Sequence, residues 1–270
     1  MNSFVLMAIP LFLLSGELMN VSGITERIVA FTNTLVGHRK GGLGHVNIVA
    51  NIFMAGISGA AVADAAALGT MLIPAMGKSG YSRPYSSALT AAASIIGPTI
   101  PPSMAMIVYG SVANTSIAGL FATGFLPGLL MGTLYMILNH RISSKRGYQM
   151  QAEKASRAEV FKAMKDGIFA LFMPVIILGG ILSGIVTPTE AAGVAVGYAL
   201  FVGLFIFRTL TPRNIWEALK NTVAISGVSL LLVSVGGILS WVLTVAQIPQ
   251  TIASAILGIT TNKYFFLLLV

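Results

Sequence analysis

Residues 47–103 are apolar enough for a membrane and yet are broken in two places, which leaves few ways to fold them. The first part reads NIVANIFMAGISGAAVADAAALGTMLIPAM. It has no Lys or Arg, but Gly56-Ile57-Ser58-Gly59 splits it. As a helix, residues 45–56 rise only about 18 Å, against a hydrocarbon core of about 30 Å. They cannot cross. The solution is a re-entrant helical hairpin whose non-helical tip, Ser58-Gly59-Ala60, is buried in protein or lines a cavity. The second part, SALTAAASIIGPTIPPSMAMIVYG, is long enough to cross but contains Pro98, Pro101 and Pro102. Each proline frees the carbonyl four residues earlier, so those of Ser94, Gly97 and Pro98 are expected to be unpaired. Two broken helices facing each other in mid-bilayer are the construction of an ion-coupled secondary transporter.

The rest of the chain supplies the membrane context. Of 270 residues, 56% are hydrophobic and only 9% charged, which excludes an ordinary soluble domain and indicates an all-α polytopic membrane protein. There is no cysteine, so disulfides and thiolate metal sites are excluded. A net charge of +8 raises nucleic acid as a partner, but the basic residues sit in short loops between apolar segments. Membrane orientation explains them better. The N-terminus reads as opening straight into an apolar helix, with no signal-peptide pattern.

The expected organisation runs in six parts. Residues 1–44 hold a first span (3–22) and an amphipathic arm (24–37) suited to the interface. Residues 45–112 hold the hairpin and the broken helix, and 113–140 a further span. Residues 141–166 are a polar, basic linker dividing the chain in two. Residues 167–260 hold second-repeat spans at 167–186, 190–208 and 223–244 and a second arm at 247–260, and 261–270 are the start of a truncated second hairpin. If the linker is cytoplasmic, fifteen of the sixteen Lys and Arg residues fall on that side, with Lys263 the exception.

An internal repeat is also legible. Leu14-Ser15-Gly16-Glu17-Leu18 through Ile24-Thr25-Glu26 aligns without gaps on Leu239-Ser240-Trp241-Val242-Leu243 through Pro249-Gln250-Thr251, an offset of 240 − 15 = 225. In the topology above the copies run in opposite directions, as in an inverted-topology repeat. By that offset, roughly 60 residues would precede Met1 and about 100 would follow Val270, so the chain reads as a fragment lacking both ends.

LFLLSGELMNVSGITERIVAF, FMAGISGAAVADAAALGTMLIPAM, SIIGPTIPPSMAMIVYG and TPTEAAGVAV together resemble the large membrane subunit of tripartite ATP-independent periplasmic (TRAP) transporters, from about residue 3 to Val270. The resemblance implies an elevator-type ion-transporter-superfamily fold in the bacterial inner membrane. It also implies sodium as the coupling ion, with no other cofactor, and organic-acid substrates such as C4-dicarboxylates, keto acids or sialic acid. A periplasmic substrate-binding protein would deliver the substrate, and a small four-helix membrane subunit would join the scaffold. A stand-alone sodium/dicarboxylate carrier shares the architecture and is the alternative.

The candidate site residues follow from the two breaks. Ser58, Gly59 and Ala60 form the tip, where the start of helix 61–76 suits a carboxylate; the plainer reading is a turn whose serine caps that helix. Ser94, Gly97 and Pro98 offer hard oxygens for an alkali cation, with Ser58 from the tip. Thr99 and Ser103 lie where a resuming helix near Pro101 would face a substrate anion; the plainer reading is a proline kink. In the family resembled, the serine matching Ser15 lies beside the sodium site; otherwise it bonds back to its own helix. Asp64 and Glu17 are acids in apolar segments. Asp64 is read as a gating or structural acid favoured by the helix dipole, Glu17 as lying near the interface. Thr187-Pro188-Thr189-Glu190 reads as a helix cap, and Trp216 and Trp241 as interface anchors. Gly56-Ile57-Ser58-Gly59 also matches the G-x-S-G of intramembrane serine proteases. That chemistry needs a histidine base in reach, and only His38, His45 and His140, all at segment ends, are available.

Overall fold

A computed structural model describes residues 4–148 and 154–259, apart from the side chains of Leu257 and Ile259. Among these residues every regular element is a helix. A short 3-10 turn (Phe4–Met7) leads into α1 (Ala8–Val21), followed by α2 (Ile24–Val36). Then come α3 (Gly42–Ser58), α4 (Ala61–Lys78), α5 (Arg83–Ser94), α6 (Met104–Val112) and α7 (Ile117–Arg146). The second part holds α8 (Arg157–Leu182), α9 (Pro188–Phe201) with a π-helical extension (Val202–Ile206), α10 (Pro212–Val245) and α11 (Ile248–Ile259). Five of these are long and apolar enough to cross a membrane: α1 with its leading turn, α7, α8, α9 with its extension, and α10.

The hairpin and the broken helix are both present. α3 has 17 residues and α4 has 18, which makes them about 25 and 27 Å long, both shorter than the apolar core. Only Gly59 and Ala60 separate them. The segment 85–112 is likewise two helices, α5 and α6, parted by residues 95–103 in turns.

The polar stretch 141–166 departs from expectation, because it is helical at both ends. α7 continues to Arg146 and α8 begins at Arg157. Arg, Lys, Ala and Glu are good helix formers, so a spanning helix that leaves the apolar layer need not stop there. α8 starts on a capping box in which Ser156 and Glu159 exchange hydrogen bonds. The expected cap at α9 is also there: Glu190 Oε2 accepts from the Thr187 backbone N–H at 2.8 Å, and Thr187 Oγ1 accepts from the Glu190 N–H at 3.3 Å.

α3 is the central element. It packs against α1, α2, α4, α5, α7 and α8 and is buried along nearly its whole length. Its small residues make this close packing possible. A β-carbon at Gly44 would collide with the Asn139 carboxamide of α7, and one at Gly56 would lie 2.6 Å from Pro174 Cγ of α8. Its buried amides pair within α3 and with a neighbouring helix. Asn47 Nδ2 donates to Thr90 Oγ1 of α5 at 2.6 Å, and Asn51 Nδ2 donates to Asn47 Oδ1 at 3.0 Å. Asn139 Nδ2 donates to the Gly41 carbonyl at 3.1 Å, while Asn139 Oδ1 accepts from Tyr85 Oη at 2.9 Å. These bonds tie the start of the hairpin to α5 and α7.

Contacts divide the chain into one unit through Ala224 and a smaller one from Ile225 onward. Two of the helix-to-helix turns are made by a residue in the left-handed region. α1 turns into α2 through Gly23 at φ +74°, and α10 turns into α11 through Gln247 at φ +55°. The short helices that follow have 13 and 12 residues. Residues 261–270, expected to begin a second hairpin, lie outside the described residues.

Candidate functional site

At the hairpin tip, α3 stops because Gly59 adopts the left-handed conformation, φ +60°. Ala60 is extended and is the N-cap of α4. Ser58 therefore does not cap the next helix. Its hydroxyl donates to Asp64 Oδ1 at 2.5 Å and accepts weakly from the Ala60 N–H at 3.3 Å. No side chain caps α4, so its first-turn N–H groups at Ala61, Val62 and Ala63 have no intrahelical acceptor. Asp64 is fully buried, and its other oxygen, Oδ2, has no hydrogen-bond partner.

The break between α5 and α6 is more self-satisfied than expected. The Ser94 carbonyl accepts from the Gly97 N–H at 3.0 Å, and the Pro98 carbonyl accepts from Ser103 Oγ at 2.6 Å. Two of the three carbonyls expected to be free are thus engaged, each keeping one further lone pair. The third, that of Gly97, accepts no hydrogen bond among the described residues. The helix resumes at Met104 instead of near Pro101, because a start needs an N-cap. Ser103 supplies it, its Oγ accepting from the Met106 N–H at 3.3 Å.

Tip and break form one knot. A β-carbon on Gly59 would strike the Pro102 carbonyl oxygen and lie 3.6 Å from Ser103 Cα. One on Gly97 would lie 2.5 Å from Asp64 Oδ2 and 3.0 Å from the Ser94 carbonyl oxygen. Gly59 is required because backbone approaches backbone there, and Gly97 because the Asp64 carboxylate fills the space a β-carbon would take. Ser58, Gly59, Ala60, Asp64, Gly97 and Ser103 are thereby brought together, with the Ser94 carbonyl beside them. Thr99 and Ser15 are not joined to them. Thr99 turns its carbonyl toward Gly124 of α7 and its hydroxyl onto the Ile95 carbonyl at 2.9 Å. Ser15 is buried, but its hydroxyl donates to the Phe12 carbonyl at 2.8 Å.

The neighbour of Ser15 makes the contact instead: a β-carbon on Gly16 would lie 3.1 Å from Ser58 Cα. Leu13, Gly16, Glu17 and Asn20 of α1 line a cleft with Ser58 and Asp64. Glu17 thus lines this cleft. The spacing 13, 16, 17, 20 is one helix face, a signal legible in the sequence but unused. The cleft holds about 10 Å³, the room of roughly one water molecule. That fits an ion and excludes an organic acid. Hydroxyl and carboxylate oxygens around such a space are hard ligands. They do not make a protease: Ser58 gives its proton to Asp64, and His45 lies thirteen residues away at the other end of α3, about 20 Å along the helix.

The whole chain, residues 1–270, matches the family model described as the tripartite ATP-independent periplasmic transporter, DctM component. It is 46% identical over 269 residues to the sialic acid TRAP transporter large permease protein SiaM of Vibrio cholerae, covering 100% of this chain and 63% of that one. It is 40% identical over 270 residues to the sialic acid TRAP transporter permease protein SiaT of Haemophilus influenzae, covering 100% and 44%. Over 252 residues it is 41% identical to the 2,3-diketo-L-gulonate TRAP transporter large permease protein YiaN of Escherichia coli, covering 93% and 59%. The chain spans less than two thirds of the length of each of these relatives. All three are named as transporter permeases, none as an enzyme. With its split hairpin, broken helix and five membrane-length apolar helices, this chain belongs to the DctM family of TRAP transporter permeases, multi-pass proteins of the bacterial inner membrane.

Proposed function

We propose that this chain forms part of a sodium-coupled secondary transporter that takes up an organic acid anion, and that the knot of Ser58, Asp64 and Gly97 holds the cation. One observation carries the reading. Asp64 is fully buried, leaves Oδ2 unpartnered and lines a cleft of one-ion size. An unpaired buried carboxylate is costly, and a small hard cation removes the cost. The Gly97 and Ser94 carbonyls and the Ser58 hydroxyl, whose proton is already committed to Asp64, supply further oxygens.

The substrate then belongs on the open side of the tip, where Val62 is 81% exposed and the uncapped N–H groups of α4 suit a carboxylate. Asp64 sits in the first turn of that same helix. A cation that fixes Asp64 against Ser58 fixes the aim of those donors, so cation and anion raise each other's affinity. By likeness to relatives named for sialic acid and diketogulonate, the substrate is a sugar-derived or other small carboxylic acid. A periplasmic binding protein delivers it, a small four-helix membrane subunit completes the scaffold, and the hairpin domain moves as an elevator relative to α8 and α9.

The test is uptake by the full-length permease reconstituted with its small subunit and binding protein. Substrate should accumulate with an inward sodium gradient and not with choline in its place. Asp64→Asn keeps the shape and an acceptor for Ser58 but removes the charge. It should raise the half-saturating sodium concentration at least about tenfold, on the scale of uncompensating a buried charge pair. Uptake indifferent to the cation gradient, or wild-type sodium dependence in Asp64→Asn, would refute the reading.

A further inference from the structure

Away from the hairpin tip, a second opening of about 620 Å³ lies against the start of α3 and the later part of α7. Arg39 and Lys40 reach it from the α2–α3 turn, His45 from the first turn of α3, and His140 and Arg141 from α7. Nothing in the candidate site uses these five residues. Among the described residues the ion pair present is Arg213–Glu217, so no carboxylate neutralises Arg39, Lys40 or Arg141. His45 is 3% exposed, and neither of its ring nitrogens has a hydrogen-bond partner. The Lys40 backbone comes near the ring without completing a bond. A buried imidazole facing an opening with no acceptor is an incomplete arrangement. A ligand oxygen would complete it.

We propose that this opening is a binding site for the headgroup phosphate of an anionic phospholipid. Three unneutralised cations and an unsatisfied imidazole supply the anion recognition. The lipid, as opposed to a free anion, is indicated by what continues from the opening. Ile137 of α7 lines it, and the same helix face carries Leu130 and Leu126 at spacings of seven and eleven residues. They are 47%, 58% and 76% exposed. That stripe is about 17 Å long, close to the half-thickness of a hydrocarbon core. Headgroup site and acyl-chain path are therefore continuous on one surface. A free phosphate would use only the basic end.

The experiment uses the delipidated full-length permease in detergent, titrated with short-chain phosphatidylglycerol, phosphatidylcholine or inorganic phosphate and followed by native mass spectrometry. Phosphatidylglycerol should bind saturably and at least tenfold more tightly than phosphatidylcholine, and millimolar phosphate should not displace it. Arg141→Gln, a surface change that leaves the helix intact, should weaken binding roughly fivefold. Arg39→Gln, Lys40→Gln and Arg141→Gln together should weaken it on the order of a hundredfold. His45→Phe, which keeps the ring volume, should weaken phosphatidylglycerol binding. Lys78→Gln with Arg83→Gln, elsewhere on the chain, should change nothing. The proposal is overturned by equal binding of the two lipids, or by unchanged binding in the triple variant. Displacement by phosphate would mean a bare anion site and would overturn it too, as would exclusion of lipid by the bound small subunit.

Discussion

Gly59→Ala tests whether the hairpin tip and the helix break are one body. The new methyl group meets two separate obstacles. Gly59 is at φ +60°, where a residue with a β-carbon is disfavoured by about 1–2 kcal/mol. The β-carbon would also run into the Pro102 carbonyl oxygen and lie 3.2 Å from the Pro102 carbonyl carbon. Backbone cannot swing aside as a side chain can, so residues 97–103 must shift, an overpacking effect of about 1–3 kcal/mol. Together these destabilise by roughly 2–5 kcal/mol. Gly184→Ala is the matched control: its φ is +75° and nothing lies within 4 Å of the added atom, leaving only the conformational part, about 1–2 kcal/mol. At roughly 2–4 °C per kcal/mol for a chain of this size, thermal unfolding of the full-length protein separates the two. Gly59→Ala should lower Tm further than Gly184→Ala by roughly 2–12 °C, the overpacking part alone. Equal shifts would mean that tip and break do not touch.

Two further outcomes are expected. Thr90→Val keeps the side-chain shape but strips Asn47 Nδ2 of its 2.6 Å acceptor; it should destabilise by about 1 kcal/mol, between the soluble and membrane values for such a loss, and Thr90→Ser should not. A wild-type Tm in Thr90→Val would refute the α3–α5 bond. The Tyr148 ring stacks on Tyr81 with centroids 4.2 Å apart, while its hydroxyl makes only long contacts, to Ser82 at 3.3 and 3.4 Å and from Arg146 at 3.4 Å. Tyr148→Ala should therefore destabilise by about 1 kcal/mol and Tyr148→Phe hardly at all; the reverse order in thermal unfolding would show that the hydroxyl, not the ring, holds the segment.

What could be read from the sequence was whatever depends on length and on backbone chemistry. Gly56-Ile57-Ser58-Gly59 splits a run too short to cross, and Pro98, Pro101 and Pro102 forbid a continuous helix, so the hairpin and the break were visible before any coordinates. The Thr187–Glu190 cap was equally visible, and the Ser156–Glu159 box follows the same pattern, ending eight residues before the apolar run that starts at 167. Charge misled at 141–166, where strong helix formers outweighed polarity. The site itself was only half legible. That Ser58 bonds Asp64 depends on the left-handed turn at Gly59, which sets two residues six apart face to face. That Gly16 rests on Ser58 is a contact between helices, on which the order of residues is silent. Which carbonyls of the break stay open was settled by Ser103, whose hydroxyl both caps α6 and closes on Pro98.

The bond between Ser58 and Asp64 also bears on how the chain is made. Both partners lie within seven consecutive residues, so the tip can close on itself as soon as α4 has left the ribosome, before Pro102 has emerged. The partner surface then arrives some forty residues later and finds a preformed edge, Gly59, to settle upon. Synthesis thus proceeds from a locally sealed turn to a long-range fit. A ribosome stalled between these two moments would display a closed hairpin with a bare glycine waiting at its apex.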